Sequence, residues 1–248
     1  MPAPIVLMYH NICPPPPTAQ IKGMYVDPRQ FDWQIRWLLK HGFDITTFAQ
    51  LTDKPAHARS VVLTLDDGYA NNYSAAFPIL QRHGVSAVIY PILTDLGKSG
   101  VTWPIGTERT PADLMTVPQV QEMAAAGIEF GSHLLHHKPL TEMSPDQCEQ
   151  ELSASREQLQ AMTGQKVLSI AYPYGAFDDV IVGKTEQCGY QYAVTTLPGV
   201  NGQGTHPLRL SRFTAKGCKI HHRMKFRRML KQAAKEAEAQ WPALKPSY

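Results

Sequence analysis

Short apolar segments alternate with more polar segments, several of which open with the residues typical of a helix N-terminus. This alternation limits the folds that the chain can adopt. The apolar segments have strand character and lie at residues 5–8, 61–65, 85–92, 128–131, 167–172, 190–195 and 208–213. Asp27 with Pro28, and Ser144 with Pro145, are typical helix starts. Strands alternating with helices, without a linker or a repeat, predict one α/β domain with a mainly parallel sheet. About seven strands close into a barrel as naturally as they form an open sheet.

Composition excludes several classes of protein. The 24 Lys and Arg residues exceed the 21 Asp and Glu residues by three, too few to indicate a nucleic-acid partner for the whole molecule. The four cysteines, Cys13, Cys148, Cys188 and Cys218, are far apart, which predicts free thiols in a reducing compartment. No apolar run is long enough to span a bilayer, and residues 1–12 lack the basic segment of a signal peptide. We therefore expect a cytoplasmic protein.

Two adjacent carboxylates, Asp66 and Asp67, end the uncharged segment 61–65, and Gly68 follows them. Neighbouring carboxylates repel each other, and at the end of a buried strand they need a cation or hydrogen-bond donors. Taken alone, an Asp-Gly pair is more often a simple turn. Both interpretations, a turn and a cation site, are open from this segment alone.

Other polar residues also follow directly after predicted strands. His10 follows the first strand, His133 and His137 follow the segment 128–131, and Pro173 with Tyr174 follows the segment 167–172. Because parallel strands end at one side of a sheet or barrel, these residues are expected to converge with Asp66 and Asp67.

Histidine and aspartate in this pattern favour a divalent metal site. Two imidazoles and one carboxylate suit zinc or another divalent transition metal and leave a position for water. His133 could pair with either His136 or His137, and spacing by four residues would place His133 and His137 on one face of a helical turn.

Two motifs resemble those of the polysaccharide deacetylases, a carbohydrate esterase family that shares the NodB homology domain. TLDDGY at residues 64–69 resembles the family's TFDDG signature, and SHLLHHKPL at residues 132–140 resembles its second, His-containing motif. The position of Leu140 in the second motif aligns His133 and His137 with the family's two histidines. The resemblance covers residues 5–213 and implies a distorted (β/α) barrel with fewer than eight strands.

The resemblance also implies an activity and a role for each residue. The reaction would be metal-dependent hydrolysis of the N-acetyl group of an amino sugar, in a glycan or a lipid-linked glycan precursor. Asp67, His133 and His137 would bind a divalent metal ion, with zinc expected ahead of nickel, cobalt, iron or manganese. Asp66 would be the catalytic base. The backbone N–H of Tyr174, in the motif that includes Pro173, would stabilise the oxyanion.

This chain departs from the family pattern at Leu65, a conservative replacement of Phe in the first motif, and at three further places. Leu134 replaces a Ser or Thr that steadies the loop, Ala171 replaces the Arg that pairs with the base, and the late Leu-x-His motif of the general acid is missing. The opening VLMYHNI at residues 6–12 resembles the branch of biofilm poly-N-acetylglucosamine deacetylases, whose late motifs are permuted to the N-terminus. In that branch His10 would be the acid, and Arg212 or Arg209 would supply the positive charge.

Alternatives remain open. His10 could be a structural residue at a strand end, and either arginine could be an ordinary strand residue. The missing groups also allow a hydrolase of another bond, such as an O-acetyl ester or a non-sugar amide, or a carbohydrate-binding protein of the same fold without turnover.

The chain divides into a predicted catalytic domain, residues 1–215, and a basic helical tail, residues 216–248. Residues 216–231 contain seven Lys or Arg and no acid. The tail is either a basic amphipathic helix lying on an anionic membrane at its inner face or a solvated helix packed against the barrel.

Overall fold

The computed structural model describes residues 4–102, 110–217, 219 and 221–240. Its strands are β1 (Ile5–Tyr9), β2 (Asp44–Thr46), β3 (Ser60–Asp67), β4 (Val88–Pro91), β5 (Glu129–Phe130), β6 (Ser169–Ala171), β7 (Tyr192–Val194) and β8 (Phe213–Thr214). Its helices are α1 (Pro28–Lys40), α2 (Gln50–Asp53), α3 (Phe77–His83), α4 (Val117–Ala125), α5 (Pro145–Thr163), α6 (Asp179–Gln187) and α7 (His222–Gln240). The short β2 and α2 had no clear signal in the sequence.

Polar side chains fix the starts of the helices as the sequence predicts. The side chain of Asp27 accepts a hydrogen bond from the backbone N–H of Arg29 at the start of α1. Thr116 and Ser144 form complete capping boxes with the glutamines three residues later, at the starts of α4 and α5. Each such cap stabilises its helix by about 1 kcal/mol, because it satisfies backbone donors that the helix leaves open.

The strands are parallel and form a ring. Hydrogen bonding gives the order β5-β4-β3-β1-β8, and β6 pairs with β7 in a second sheet. An isolated bridge between Ser132 and Ile170 joins β5 to β6, and another between Val194 and Leu210 joins β7 to the segment before β8. The short β2 and the longer β4 pair with the same edge of β3. β2 pairs with the first residues of β3, and β4 pairs with the last residues of β3. Seven strand positions around a distorted barrel result, which confirms the predicted fold class.

The last strand position differs from the prediction. Residues 208–213 do not form one continuous strand, because Pro207–Arg209 is a 3₁₀ turn that begins with a proline. Leu210 then bridges to β7, whereas Phe213 pairs with Leu7 of β1. The interruption lets a single chain segment bond to both neighbours and close the ring, and Arg212 lies at the interruption.

Alternate residues of the strands face the barrel interior and the surrounding helices. Val6, Val62 and Val88 belong to one buried cluster with Phe48, while Leu63 and Leu65 belong to the cluster that includes residues of the helices. Because side chains of a strand alternate between faces, Thr64 and Asp66 lie on the same face of β3 as Val62. The base candidate therefore projects toward the barrel interior.

The C-terminal helix α7 packs on α1. Phe226 is 3% exposed and lies edge-on to Trp33 and Trp37, with ring centroids 6.1 and 5.9 Å apart. No helix among the described residues combines the length and apolarity needed to cross a bilayer. Cys13, Cys148 and Cys188 form no disulfide, and Cys218 lies outside the described residues.

Candidate active site

The register of β1 against β3 places His10 beside the two carboxylates. Tyr9 is paired with Leu65, so the next residues along the two strands, His10 and Asp66, are neighbours. The distance from His10 Nε2 to Asp66 Oδ2 is 3.9 Å. The side chain of His10 is 15% exposed and that of Asp66 is 4% exposed. An imidazole therefore stands at the solvent side of a buried carboxylate.

Two asparagines hold the segment that carries His10. The side-chain amide of Asn72 donates to the backbone carbonyl of His10 at 2.8 Å, and Asn71 accepts from the backbone N–H of Ile12 at 2.7 Å. Ala70 separates the TLDDGY motif from Asn71, and Asn72 begins a π-helical turn. The loop after β3 thus positions the loop after β1, a contact between residues about 60 positions apart.

Arg212 forms a two-pronged ion pair with Asp66 inside the barrel. Its two terminal nitrogens donate to Asp66 Oδ1 and Oδ2, each at 2.7 Å, and its Nε donates to the carbonyl of Thr195 at 2.7 Å. Burial by itself would raise the pKa of Asp66, but the charge and hydrogen bonds of Arg212 outweigh burial and hold that pKa below its usual range. Asp66 is therefore ionised at neutral pH.

Arg209, the alternative partner of Asp66, lies elsewhere. Its guanidinium donates to Asp179 at the start of α6 and lies 5.9 Å from the ring of Phe177. The structure thus brings Arg212, and not Arg209, into contact with Asp66. The position that the family motif fills with Arg is Ala171, which is fully buried in β6.

Asp67, His133 and His137 form a compact cluster on the other side of the loop after β3. One ligand atom from each lies within 4.8 Å of the others. The Nε2 atoms of His133 and His137 lie 3.3 and 3.5 Å from Asp67 Oδ1. Asp67 turns away from Asp66 because its backbone is left-handed, with a φ of 71°, and Gly68 follows with a φ of 75°. A Cβ on Gly68 would come within 3.0 Å of Pro91, so the turn requires glycine there.

The donor set of this cluster fits a divalent cation. His133 Nδ1 lies 2.7 Å from the carbonyl of Ala171, which can only accept, so Nδ1 carries a proton. Its Nε2 is then the atom that faces the carboxylate of Asp67, and in a neutral imidazole both atoms are acceptors. A cation between them satisfies both, and a histidine whose second nitrogen is fixed by a carbonyl is typical of metal sites.

Burial prepares His137 for ligation. It lowers the pKa of His137 to about 4, which keeps the imidazole neutral at pH 7 with a lone pair for a ligand. For Asp67, burial by itself would raise the pKa, but hydrogen bonding to His133 and the charges of neighbouring histidines hold it well below its usual range. Hydrogen bonding to Asp67 and the charges of both carboxylates likewise outweigh burial and raise the pKa of His133, so a cation that binds here would displace a proton from this pair. A charged carboxylate and a neutral imidazole are the states in which these groups bind a metal.

The loop that carries the histidines is not helical, contrary to the sequence interpretation of the four-residue spacing. Residues 135–137 form bends, and Leu134 before them is left-handed with a φ of 69°. This reversal brings the rings of His133 and His137 to a centroid distance of 5.0 Å. Leu134 itself is fully buried, so the residue that replaces the family's Ser or Thr anchors the loop by packing.

Glu151 of α5 supplies the hydrogen bonds that this loop needs. Its Oε2 accepts from the backbone N–H groups of Leu135 and His136, at 3.0 and 3.1 Å, and its Oε1 lies 2.6 Å from His136 Nδ1. Sequence reasoning missed Glu151, because one glutamate on a helix 14 residues beyond His137 has no recognisable pattern. The carboxylate thus holds two consecutive backbone N–H groups of the loop.

His136 and His137 differ in their exposure and in the carboxylate that each one faces. His136 is 51% exposed and bound to Glu151, whereas His137 is 8% exposed and faces Asp67. The ring of His137 also lies 4.5 Å from the ring of Tyr174, whose hydroxyl is 3.4 Å from the carbonyl of His137. Of the two pairs that the sequence allowed, the structure brings together His133 and His137.

We expect His137→Gln to lose zinc binding, while His136→Gln retains it with at most the roughly 10–100-fold loss seen for residues beside metal ligands. The reason is that, of these two histidines, His137 directs a ring nitrogen at Asp67, whereas His136 is bound to Glu151. Calorimetric titration of metal-free protein with zinc measures both affinities. Equal losses in the two variants would show that His137 has no special position.

Pro173 and Tyr174 lie where the third motif predicts. Pro173–Gly175 is a 3₁₀ turn directly after β6, and Tyr174 in its centre is left-handed, with a φ of 59°. Pro173 is buried, while Tyr174 is partly exposed beside His137. The role of the Tyr174 N–H in stabilising an oxyanion stays a prediction.

The fold and the site together define a class of protein: a (β/α)-barrel hydrolase whose polar groups converge at the carboxyl ends of its strands. Residues 53–193 match the family model described as polysaccharide deacetylase. YxkH of Bacillus subtilis (strain 168), a protein assigned to the polysaccharide deacetylases, is 31% identical over 210 residues, which are 82% of this chain and 68% of YxkH. The chain therefore belongs to the polysaccharide deacetylase family.

Two further comparisons agree with this assignment. The peptidoglycan-N-acetylmuramic acid deacetylase PdaA of Bacillus subtilis (strain 168) is 28% identical over 136 residues, which are 54% of this chain and 45% of PdaA. Among solved structures, BC0361, a polysaccharide deacetylase from Bacillus cereus, superposes with a TM-score of 0.74 at 28% identity. That match covers 91% of this chain and 68% of BC0361.

Proposed function

We propose that this protein is a metal-dependent N-deacetylase that removes acetyl groups from N-acetylated amino sugars in a glycan or glycan precursor. The observation that carries the proposal is the division of labour between two adjacent carboxylates. Asp66 is bound to Arg212, and Asp67 is clustered with His133 and His137. A base and a ligand set, side by side but separately held, suit hydrolysis of an amide.

A divalent cation held by Asp67, His133 and His137 would supply Lewis-acid polarisation of the acetyl carbonyl. Asp66 then accepts a proton from the attacking water, because it is ionised and Arg212 fixes its orientation. His10 lies 3.9 Å from Asp66 at the solvent side, where it can give a proton to the leaving nitrogen. An amine is a poor leaving group unless it is protonated, so the acid is as necessary as the base.

The substrate class has support from a relative as well as from the site. PdaA is named for the deacetylation of N-acetylmuramic acid, which is an N-acetylated amino sugar. Arg212 is bound to Asp66 and His10 lies 3.9 Å from it, so the base has candidate partners for both the arginine and the acid whose family motifs this chain lacks. Their presence favours an enzyme over a carbohydrate-binding protein without turnover.

Acetate release tests the proposal. Full-length protein loaded with zinc is expected to release acetate from N-acetylglucosamine oligomers or from peptidoglycan fragments, and to stop when a chelator removes the metal. Parallel assays with O-acetylated sugars and acetylated non-sugar amides measure which bond is preferred. Bound metal without acetate from any N-acetylated sugar would contradict the proposal.

We expect His10→Ala to slow the hydrolysis of an N-acetyl sugar by about 10²–10⁴-fold, the usual contribution of a general acid. An activated acetate ester, whose leaving group needs no proton, is expected to lose much less. The ratio of kcat/KM values for the two substrates measures the difference. Equal losses would assign His10 a structural role.

A further inference from the structure

Basic residues of the C-terminal segment lack the acidic partners that many cations elsewhere in the chain have. Lys54, Lys98 and Lys184, for example, pair with carboxylates at 2.8–3.2 Å. No ion pair with a described residue is formed by six residues of the segment: Lys216, Lys219, Lys225, Arg228, Lys231 and Lys235. A group of cations without internal partners raises the positive potential of that surface.

The helix that bears most of these cations is fixed to the barrel by its opposite face. Phe226 and Leu230 of α7 are buried, as are Ala233, Ala234 and Ala237. The guanidinium groups of Arg223 and Arg227 lie 4.9 and 5.1 Å from the ring of Trp33 in α1. These contacts determine which side of α7 faces outward.

The outward side of α7 carries Met224, Arg228, Lys231 and Lys235, which we call the basic stripe. Steps of four, three and four residues place the four side chains in one row. The row is about 17 Å long at the helical rise per residue. All four are exposed, and Met224 is 68% exposed. Of the two acids of the helix, Glu236 lies off the stripe and accepts from Gln232, and Glu238, three residues beyond Lys235 at the end of the row, pairs with Arg59.

A basic cavity adjoins the start of the stripe. It has a volume of about 220 Å³ and is lined by Thr214, Lys216, His222 and Lys225, with Phe226 and Met229 as its apolar wall. Partial burial and the surrounding His221, Lys216, Lys219 and Lys225 all lower the pKa of His222, so the potential there is positive. Because Thr214 pairs with Met8, two residues before His10, the cavity lies toward the active-site end of the barrel.

We propose that the basic stripe and the adjoining cavity dock the protein on an anionic lipid bilayer, with one lipid phosphate in the cavity. A straight row of unpaired cations on a convex helix matches a flat anionic surface, and the exposed Met224 can enter the interfacial region. A soluble polyanion would gain nothing from Met224. The proposal does not depend on the chemistry at Asp66, so failure of the deacetylase test would leave it standing.

Vesicle sedimentation with the full chain tests this docking. The protein is expected to bind phosphatidylcholine vesicles that contain phosphatidylglycerol, but not pure phosphatidylcholine vesicles, and to dissociate at high salt. Each cation near an anionic surface contributes about fivefold to binding. The variant Arg228→Gln/Lys231→Gln/Lys235→Gln is therefore expected to lose binding by on the order of 100-fold.

A matched control removes the same charge from other surfaces. Arg36→Gln/Lys54→Gln/Lys98→Gln alters three exposed cations outside the segment and is expected to bind as the unaltered protein does. Equal losses in the two triple variants would overturn the proposal, as would binding to pure phosphatidylcholine. Binding to polyphosphate without binding to anionic vesicles would also overturn it. The salt dependence of vesicle binding can be measured on the unaltered protein alone. Binding to anionic vesicles that does not weaken at high salt would contradict the proposed docking.

Discussion

Asp66→Asn is expected to lower turnover by about 10²–10⁴-fold while the protein still binds its metal ion. Asparagine keeps the shape of the side chain and one acceptor for Arg212, but it cannot take a proton from water. The ligand set is untouched, because the carboxylate that lies among the histidines belongs to Asp67. Acetate release and metal content, measured on the same preparation, separate the two effects.

The neighbouring substitution is the control. Asp67→Asn is expected to lose metal affinity and, for that reason, turnover. If Asp66→Asn lost the metal and Asp67→Asn kept it, the two carboxylates would have the opposite roles. Asp66→Asn leaves the charge of Arg212 without a counter-ion and is therefore expected to be less stable. The melting temperature of this variant is measured first, and the assays are carried out well below that temperature.

Arg212→Met is expected to destabilise the protein by about 3–5 kcal/mol, because it leaves the carboxylate of Asp66 buried without its arginine partner. Restoring neutrality reverses most of this effect. The double variant Asp66→Asn/Arg212→Met is expected to be more stable than the sum of the two single losses implies. Denaturant unfolding of the four proteins in this cycle gives the coupling free energy.

A second arginine on the same segment is the control for this cycle. Arg209→Met breaks an ion pair with Asp179, which is 89% exposed, and exposed pairs contribute about 0–1 kcal/mol. The pH dependence adds a check on sign. The pKa of Asp66 is lower in the folded protein than in the unfolded chain, where it is about 3.9. The ion pair therefore contributes to the free energy of unfolding above that pH, and the contribution is lost as the pH falls through the folded-state pKa. The difference in the free energy of unfolding between the unaltered protein and Arg212→Met is therefore expected to decrease toward low pH.

Much of the fold could be predicted because its signals are local. Alternating apolar and capped segments indicated the parallel strands, and Ser144 with Gln147 marked the start of α5 to the residue. The carboxyl ends of parallel strands meet, so the convergence of His10, Asp66 and His133 followed from strand positions alone.

The remaining features depend on contacts between distant residues. Arg212 reaches Asp66 only because the last strand is interrupted, and nothing near Arg212 in the sequence separates it from Arg209. Glu151 contacts the histidine loop from another helix. The bend that brings His133 and His137 together depends on the left-handed backbone of Leu134. Leucine does not favour this conformation, and no local sequence pattern predicts it.

Three residues other than glycine have a positive φ among the residues that the structure describes, and they are Asp67, Leu134 and Tyr174. Glycine would suit each backbone better, by roughly 1–2 kcal/mol. Each side chain is nevertheless needed, one in the cluster of possible ligands, one for packing and one beside His137. At the buried Leu134 the packing lost, about 2–5 kcal/mol even on replacement by alanine, exceeds this gain, so random mutation selected only for thermal tolerance would be drawn to Asp67 and Tyr174, at the expense of turnover. In a distant relative without readable motifs, a map of such backbone exceptions would indicate where to search for the active site.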